Sequence, residues 1–431
     1  MRRSTVQDTP SAPRWSSAAL IALVAAAACA PAVPPEAPSP LDELPATEPE
    51  VRVALVVDTS ESRIEHRGGV VIRDVETGER LAEAPTSGRI EVTAEAEQVR
   101  LSIAGRRVGP ARALRIEPER DGSLIVDERP YRGTVTIRAE AGNNIAVINH
   151  VDMEAYLLGV VPRELGPVGE DLIEASKAQA VAARTYAISR LGRREARGFD
   201  VYATVADQVY GGVRDEHEPI TRAVLETAGE ILTHNQVPIE AYYHSTCAGQ
   251  TAAIDEVWDE EPRAYLQSVV DINPETGRAW DHFSSRFRWT QRWTAEEIHE
   301  ILSETLADSL DLGPDGVGEL LDMEILERTQ SNRIRRMRIE TEAGSVEVGG
   351  DRVRWILRTP EGPILNSSLF DVSLIRDRDG ALREVVADGQ GWGHGIGMCQ
   401  VGAMGRARDG GQDYRTILET YYPNTTLRRL Y

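Results

Sequence analysis

The chain of 431 residues is almost without lysine, since Lys177 is the one lysine among 48 basic residues. Acidic residues number 69, so the net charge is −21. Proteins that bind nucleic acid through a basic surface cluster Lys and Arg against the phosphates. The charge balance therefore excludes that class of partner. Aromatic residues make up only 5% of the chain, which is compatible with a soluble globular protein with modest cores.

Long apolar runs are also lacking. The apolar stretch AALIALVAAAAC at 18–29 is too short for a comfortable membrane span. It follows Arg2 and Arg3 and ends in small residues, which is typical of a secretory signal peptide. The AAAC at 26–29 resembles a bacterial lipobox and predicts lipidation at Cys29; cleavage of an ordinary signal peptide nearby is the alternative. A lipid anchor would place the protein in the cell envelope, on the periplasmic or extracellular face of a bacterial membrane.

Residues 30–50 are rich in Pro, Ala and Glu, which predicts a disordered tether between the anchor and a folded region. Residues 51–150 contain short β-branched runs, at 51–57, 70–81, 89–95, 99–105, 133–140 and 144–151, separated by turn formers. The remainder mixes helical and extended patterns. The expected fold class is α+β, with a β-rich N-terminal part (51–150) leading into an α/β part.

The clearest helix is predicted at 169–192, with acids in its first turn, Arg in its last and Gly192 after it. Its alanines leave little side-chain bulk and would let a neighbouring element approach closely. Lys177 and Arg184 are seven residues apart and would project from one face.

Glu164 lies in YLLGVVPREL (156–165), after an apolar run. We expect it in a turn immediately before a helix, where a carboxylate usually serves as a cap or dipole contact. The alternative is a catalytic acid at the mouth of a cleft.

Eight short stretches together resemble one family, the SpoIID/LytB family, named for stage II sporulation protein D and an amidase enhancer. They span about 130–430 in the family's order. They are YRG (131–133), VDMEAYLLGVVPREL (151–165), EASKAQAVAARTYA (174–187), DQVYGG (207–212), AYYHSTCAGQT (241–251), LNSSLF (365–370), GWGHGIGMCQVGA (391–403) and ILETYYPNTTL (417–427).

The resemblance implies action on bacterial peptidoglycan by a SpoIID-like α/β catalytic domain at 130–430. Stage II sporulation protein D is a lytic transglycosylase that cleaves peptide-stripped glycan strands. Its catalytic glutamate falls in a VVPxE segment, which corresponds to Glu164 here. Leu165 stands where the family usually has Met, a conservative apolar difference. The family also includes amidase enhancers, which stimulate an N-acetylmuramoyl-L-alanine amidase without cutting glycan. A glycan-binding module is a third reading.

Several polar and aromatic residues are candidates for lining the glycan cleft. Each has a structural alternative: salt bridging for the helix residues, a turn for DQVYGG, and core or backbone-bonded positions for the others. The candidates are Lys177, Gln179, Arg184, Asp207, Gln208, Tyr210, Trp392 and His394.

His244 and Cys247 form an H-x-x-C pair, and the resemblance implies that some relatives hold zinc with His and Cys ligands. Structural zinc takes four protein ligands and catalytic zinc about three, whereas the sequence offers an obvious two. A Cys247–Cys399 disulfide and two buried residues without a metal are the alternatives. Zinc is an expected cofactor only if His244 and Cys247 are metal ligands, because the two alternatives require no metal.

Overall fold

The computed structural model describes residues 46–119, 123–310 and 316–431. The predicted signal peptide, the lipidation site Cys29 and most of the Pro-rich tether lie outside these residues. Within the described ranges, no helix combines the length and apolar character needed to cross a membrane.

The N-terminal part is built of strands, as its β-branched runs predict. The run at 70–81, expected as one strand, is a hairpin, because the Asp74 carboxylate accepts hydrogen bonds from the backbone of Glu76 and Thr77 and turns the chain. The strands are β1 (Glu50–Thr59), β2 (Glu61–His66), β3 (Val70–Asp74), β4 (Arg80–Ala84), β5 (Gly88–Glu95), β6 (Gln98–Ile103), β7 (Arg106–Ala111), β8 (Ala113–Pro118), β9 (Leu124–Val126), β10 (Arg129–Tyr131), β11 (Thr134–Glu140) and β12 (Asn144–Asp152).

These strands form two sheets. One has seven strands in the order β13-β1-β12-β11-β8-β3-β4, where β13 is Val201–Tyr202, and the other has six in the order β10-β9-β2-β5-β6-β7. Alternate residues of the strands enter a shared apolar core, including Ile64, Ile90 and Val135, all fully buried. The same core continues into the first helix, so the β-rich part and the helical part are packed together.

Helices follow the twelfth strand. The predicted helix at 169–192 is found as a 3₁₀ turn and then α2, and every α2 residue from Ala178 to Arg190 is buried. As its small residues predict, α2 is surrounded closely, by α1, α3, α7 and α8. The helices are α1 (Met153–Leu165), α2 (Ile173–Arg190), α3 (Glu218–Glu226), α4 (Ile254–Val257), α5 (Ala295–Thr305), α6 (Arg352–Ile356), α7 (Gln400–Arg408) and α8 (Tyr414–Tyr421).

The remaining strands belong to small sheets. Residues 288–390 hold two three-stranded sheets, β17-β22-β21 and β18-β19-β20, around an apolar core of their own. The parallel pair β16-β23 joins segments about 150 residues apart. The bounds are β14 (Glu230–His234), β15 (Val237–Pro238), β16 (Tyr243–His244), β17 (Arg288–Thr294), β18 (Leu320–Arg328), β19 (Ile334–Thr341), β20 (Gly344–Gly349), β21 (Phe370–Arg376), β22 (Leu382–Gln390), β23 (Met398–Cys399) and β24 (Thr426–Arg429).

The mixture of a β-rich beginning and helices packed on small sheets confirms the predicted α+β class. The Gly-rich stretch at 389–403 is largely irregular: Gly391, Gly393, Gly395 and Gly397 all have positive φ, a region that side chains other than glycine rarely adopt. This loop lies against β16 and positions the functional site.

Candidate active site

The end of α1, the loop after β13, β16 and the Gly-rich loop together enclose a cavity of about 550 Å³, within the usual size of small-ligand sites. Its walls carry one acid from α1, a row of aromatic rings and several polar groups. The side chains that line it are those of Arg163, Glu164, Tyr186, Val205, Ala206, Asp207, Val209, Tyr242, Tyr243, His244, Ser245, Trp258, Trp392, His394 and Gln400.

Glu164 lies in the last turn of α1, and not before a helix as expected. The prediction was wrong because the run at 153–165 stays helical through Pro162 and ends only at Gly166. The nearby helix terminus is therefore a C-terminus, whose partial negative charge disfavours a carboxylate. The helix N-terminus that the sequence predicted here would instead have stabilised the carboxylate.

The pKa of Glu164 is raised above its usual range, chiefly because burial disfavours the charged form. A hydrogen bond from the backbone N–H of Val209 to Oε1, at 2.9 Å, opposes this rise, as does hydrogen bonding with the Gln400 side chain. Gln400 in turn donates to Oε1 of the buried Gln179 at 3.4 Å. The carboxyl group is thus held at the cavity wall with a bias toward its protonated form.

Five aromatic rings line the cavity, of which sequence reasoning selected only Trp392. Tyr242 and Trp258 meet edge to face, with ring centroids 4.9 Å apart. The Arg286 guanidinium lies 3.4 Å from the centre of the Trp392 ring. The motif AYYHST contained the signal for Tyr242 and Tyr243, but only the fold brings them beside Tyr186 and Trp258.

His394 lines the cavity with both ring nitrogens already bonded to backbone. Nδ1 accepts from the N–H of Ile396 at 3.0 Å, which leaves the proton on Nε2 to be donated to the Tyr243 carbonyl at 3.0 Å. Burial lowers the pKa of His394 to about 4. The ring is therefore neutral and joins the Gly-rich loop to β16, which matches the structural alternative named above.

Lys177 and Arg184 do not line this cavity. Lys177 pairs with Glu174 and Glu226, both at 2.9 Å. Arg184 is fully buried and makes a bidentate pair with Glu154, at 2.8 and 2.6 Å. Both side chains form ion pairs within the fold. Neighbouring helices cover the face of α2 that the two residues were expected to share.

The DQVYGG residues divide between cavity and core. Asp207 reaches the wall, where its two oxygens accept from the Tyr186 hydroxyl at 2.9 Å and the Tyr202 N–H at 2.8 Å. Gln208 is buried and bonded to the hydroxyls of Tyr156 and Tyr243. Tyr210 is buried against Tyr131 and Tyr156.

His244, Cys247 and Cys399 form a buried cluster at the cavity wall, to which His244 itself belongs. One ligand atom from each lies within 4.8 Å of the others, and both cysteines are free thiols. The register of β16 with β23, which places His244 opposite Cys399, creates the cluster. Cys399 completes a triad that the H-x-x-C spacing alone did not contain.

The chemistry of this triad fits a zinc site. The Nε2 atom of His244 is buried without a hydrogen-bond partner among the described residues. Burial raises the pKa of the Cys399 thiol to about 11, but the buried Arg333 guanidinium nearby favours thiolates, and two of its nitrogens also have no partner among the described residues. Asp281 lies next to Cys399, at 3.6 Å from Sγ. Three N and S ligands are what a zinc ion with one open or carboxylate position uses.

Comparison with known proteins finds two family models that match parts of this chain. A family model described as "Stage II sporulation protein" (SpoIID) matches residues 141–234, and one described as a domain of unknown function (DUF8618) matches 274–397. The first match contains Glu164, and the second covers the whole of the unit at 288–390.

Three relatives align over most of the chain. The amidase enhancer of Bacillus subtilis is 29% identical over 73% of this chain, which spans only 47% of that protein, about half its length. Stage II sporulation protein D of Bacillus subtilis is 29% identical over 65% of this chain and 75% of its own length. That of Bacillus amyloliquefaciens is 30% identical over 64% of this chain and 74% of its own length. The chain therefore belongs to the SpoIID family.

Proposed function

We propose that the protein is a lytic transglycosylase that cleaves the glycan strands of peptidoglycan, with Glu164 as general acid and then general base. The observation that carries the proposal is a single acid with a raised pKa in an aromatic-walled cavity. A general acid must hold its proton at working pH, and burial in such a wall is the usual means.

Asp207, the other carboxylate of the cavity, is suited to a different role. Its oxygens accept from Tyr186, from the Tyr202 backbone and from Nη2 of Arg194, which lies 3.4 Å away. These contacts hold the Asp207 side chain against its own loop. Asp207 therefore serves to position the loop.

A one-acid site is sufficient for this reaction. Glu164 gives its proton to the glycosidic oxygen as the bond from that oxygen to the muramic acid C1 breaks. The resulting carboxylate then takes the proton from the 6-hydroxyl of the same sugar as that oxygen bonds to C1. The products are an anhydro-muramic end and a free hydroxyl, and no water is consumed. Hydrolysis, in contrast, normally uses two carboxylates.

The cavity offers the contacts that a sugar chain requires. Aromatic faces pack on the apolar face of a pyranose, and the wall contains Trp258 and Trp392, the latter with one face covered by Arg286. Gln400 can hydrogen-bond a sugar hydroxyl or acetamido group.

The test is incubation of residues 46–431 with peptide-stripped glycan strands, followed by mass spectrometry. We expect anhydro-muramic ends from the unaltered protein and from Glu170→Gln, an exposed acid outside the cavity. Glu164→Gln should form none. Reducing ends would mean hydrolysis and would overturn the mechanism.

A second function, activation of an amidase, is favoured by the relative named amidase enhancer, which aligns over 73% of this chain. In that case the protein alone would release nothing from stripped or intact glycan. It would instead raise the rate at which a partner amidase releases stem peptides, and Glu164→Gln would leave this stimulation unchanged.

We also propose that His244, Cys247 and Cys399 hold a zinc ion. The ion would crosslink β16 to β23 and so fasten the Gly-rich loop to the cavity wall. Structural zinc contributes directly to folding stability. Purified protein should carry about one zinc per chain and lose thermal stability on chelation, and Cys399→Ser should carry none. A mass 2 Da lower than that of the dithiol, with no metal, would indicate the Cys247–Cys399 disulfide instead.

We further propose an envelope location through lipidation at Cys29, on the sequence evidence alone. Cys29→Ser should abolish incorporation of labelled fatty acid and release the protein from the membrane fraction. Labelling of the Cys29→Ser protein at the original level would contradict it.

A further inference from the structure

A second cavity adjoins the first and is not used by the mechanism above. It has a volume of about 290 Å³ and lies between the β-rich part and α1. Its walls come from β1, the β9-β10 turn, the end of α1 and the loop after β13. This location makes the N-terminal strands one wall of a potential binding site.

The two cavities meet beside the proposed catalytic acid. Arg163 and Val209 line both of them. Arg163 precedes Glu164 in α1, and the Val209 N–H is the group that donates to Glu164 Oε1. The two cavities therefore share a wall at Arg163 and Val209, and a sugar chain bound in the first at Glu164 would reach the second by passing Arg163.

The walls of the second cavity combine apolar surface with free hydrogen-bonding capacity. Leu55, Val56 and Val126 supply the apolar surface, whereas Arg129, Arg163 and Asp127 supply charged groups at its rim. This combination fits an N-acetylated pyranose, which has an apolar ring face, hydroxyl groups and an acetamido group.

The two guanidinium groups are only loosely paired within the protein. Arg129 Nη1 and Arg163 Nε lie 3.8 and 3.5 Å from Asp215 Oδ2, beyond good hydrogen-bond distance, and that oxygen has no hydrogen-bond partner among the described residues. The N–H groups of both arginines thus remain available to a ligand.

We propose that this cavity, lined by Arg129, Asp127 and the apolar residues of β1, is a subsite for a further N-acetylhexosamine unit of the glycan strand, next to the bond that Glu164 acts on. The proposal rests on the proposed function, because the ligand class is taken from it. The β-rich part then determines how many sugar units of the glycan strand the protein binds.

Binding of glycan oligosaccharides tests the subsite without requiring cleavage. The probes are peptide-stripped oligosaccharides of two and eight sugars, titrated by calorimetry into the Glu164→Gln protein. Arg129→Ala and Asp127→Ala, each added to Glu164→Gln, should weaken binding of eight sugars about tenfold, as expected for loss of one charged hydrogen bond. Binding of two sugars should change less than twofold.

The matched control is Arg63→Ala. Arg63 resembles Arg129 in exposure, 46% against 42%, and in its loose ion pair, 3.7 Å from Glu128, but it does not line the cavity. Equal binding of eight sugars by the Arg129 and Arg63 variants would overturn the subsite. Both arginines are half-exposed, so loss of the fold would not account for a difference between them.

The two proposals can fail separately. If the protein with Glu164 intact forms anhydro ends but Arg129→Ala behaves as Arg63→Ala does, the subsite alone is wrong. If no ends form but eight sugars bind in an Arg129-dependent way, the subsite stands and catalysis is wrong.

Discussion

At the scale of single residues, the burial of Glu164 at the C-terminal end of α1 favours its protonated form. Both burial and the helix terminus act against its anion, whereas the Val209 N–H, the Gln400 side chain and the positive charge of Arg163 act for it. An acid held in this way is poorly placed as a helix cap and well placed as a proton donor.

Replacement of Glu164 by Gln should lower activity and raise stability at neutral pH. General acid catalysis contributes about 10²–10⁴-fold, so kcat should fall by that factor. The folded protein holds the Glu164 proton to higher pH than the unfolded chain does. Stability is therefore lost as pH rises from the unfolded pKa through the folded pKa.

Thermal unfolding of the unaltered protein and of Glu164→Gln at several pH values tests this predicted loss of stability with rising pH. Glu164→Gln should have the higher Tm above both pKa values and an equal Tm below them. The kcat/KM of the unaltered protein should fall as pH rises through the raised pKa of Glu164, because the acid then loses its proton. A Tm for Glu164→Gln that is lower at every pH would contradict the prediction.

Arg184, in contrast to Glu164, carries a buried charge whose role is to stabilise the fold. Removal of one member of a buried bidentate pair leaves the other charge uncompensated and costs about 3–5 kcal/mol. Arg184→Met should therefore lower the free energy of unfolding by that amount in a denaturant titration. Arg292→Ala, which breaks an exposed pair with Glu384 at 2.9 Å, should cost no more than about 1 kcal/mol. Similar losses in the two variants would refute the structural role.

At the scale of elements, the packing of α1 depends on a close approach to the loop after β13. A Cβ at Gly159 would lie 2.6 Å from a ring carbon of Tyr210 and 2.9 Å from the Gly212 nitrogen. The Gly211 N–H also donates to the Gly159 carbonyl at 3.0 Å. This contact aligns the loop that carries Asp207 and Val209 with the end of α1.

Gly159→Ala should thus destabilise the protein even though alanine favours helices. Overpacking costs about 1–3 kcal/mol, whereas the gain in helix propensity is about 1 kcal/mol. Urea unfolding should show a net loss. Ala155→Gly on the same helix calibrates the propensity effect. A gain in stability for Gly159→Ala would show that the loop moves away at little cost.

At the scale of the whole molecule, residues 288–390 form a unit whose first and last strands, β17 and β22, pair with each other. Arg288 in β17 lies opposite Gln390 in β22. All the buried members of its apolar core fall between Trp293 and Ala387. Its folding free energy is therefore largely internal.

A fragment of residues 286–391 should fold by itself. We expect a cooperative thermal transition by circular dichroism, which Trp293→Ala should weaken by about 3–5 kcal/mol because Trp293 is fully buried. A fragment without a cooperative transition would mean that the unit needs the contacts it makes through Arg333 to the Gln250 carbonyl and through Asp351 to Val257.

Much of the fold follows from local patterns in the sequence. The α+β class, about half of the strands of the N-terminal part and the Ala-rich helix were predicted from periodicity, turn residues and propensity, which act over short stretches of chain. The motifs around Glu164, Trp392 and His394 likewise pointed to residues that line the cavity. For these features the physical cause lies within a few residues of the effect.

Only the tertiary structure decided the rest, because it depends on contacts between distant segments. Pairing of β16 with β23 adds Cys399 to His244 and Cys247, and packing around α2 buries Arg184 and leaves Lys177 in partly buried ion pairs. Continuation of α1 through Pro162 reverses the helix-dipole effect on Glu164. The sequence by itself selected Glu164, Asp207, Trp392 and His394, which line the cavity, whereas their neighbours, their burial and hence the raised pKa of Glu164 were set by long-range packing.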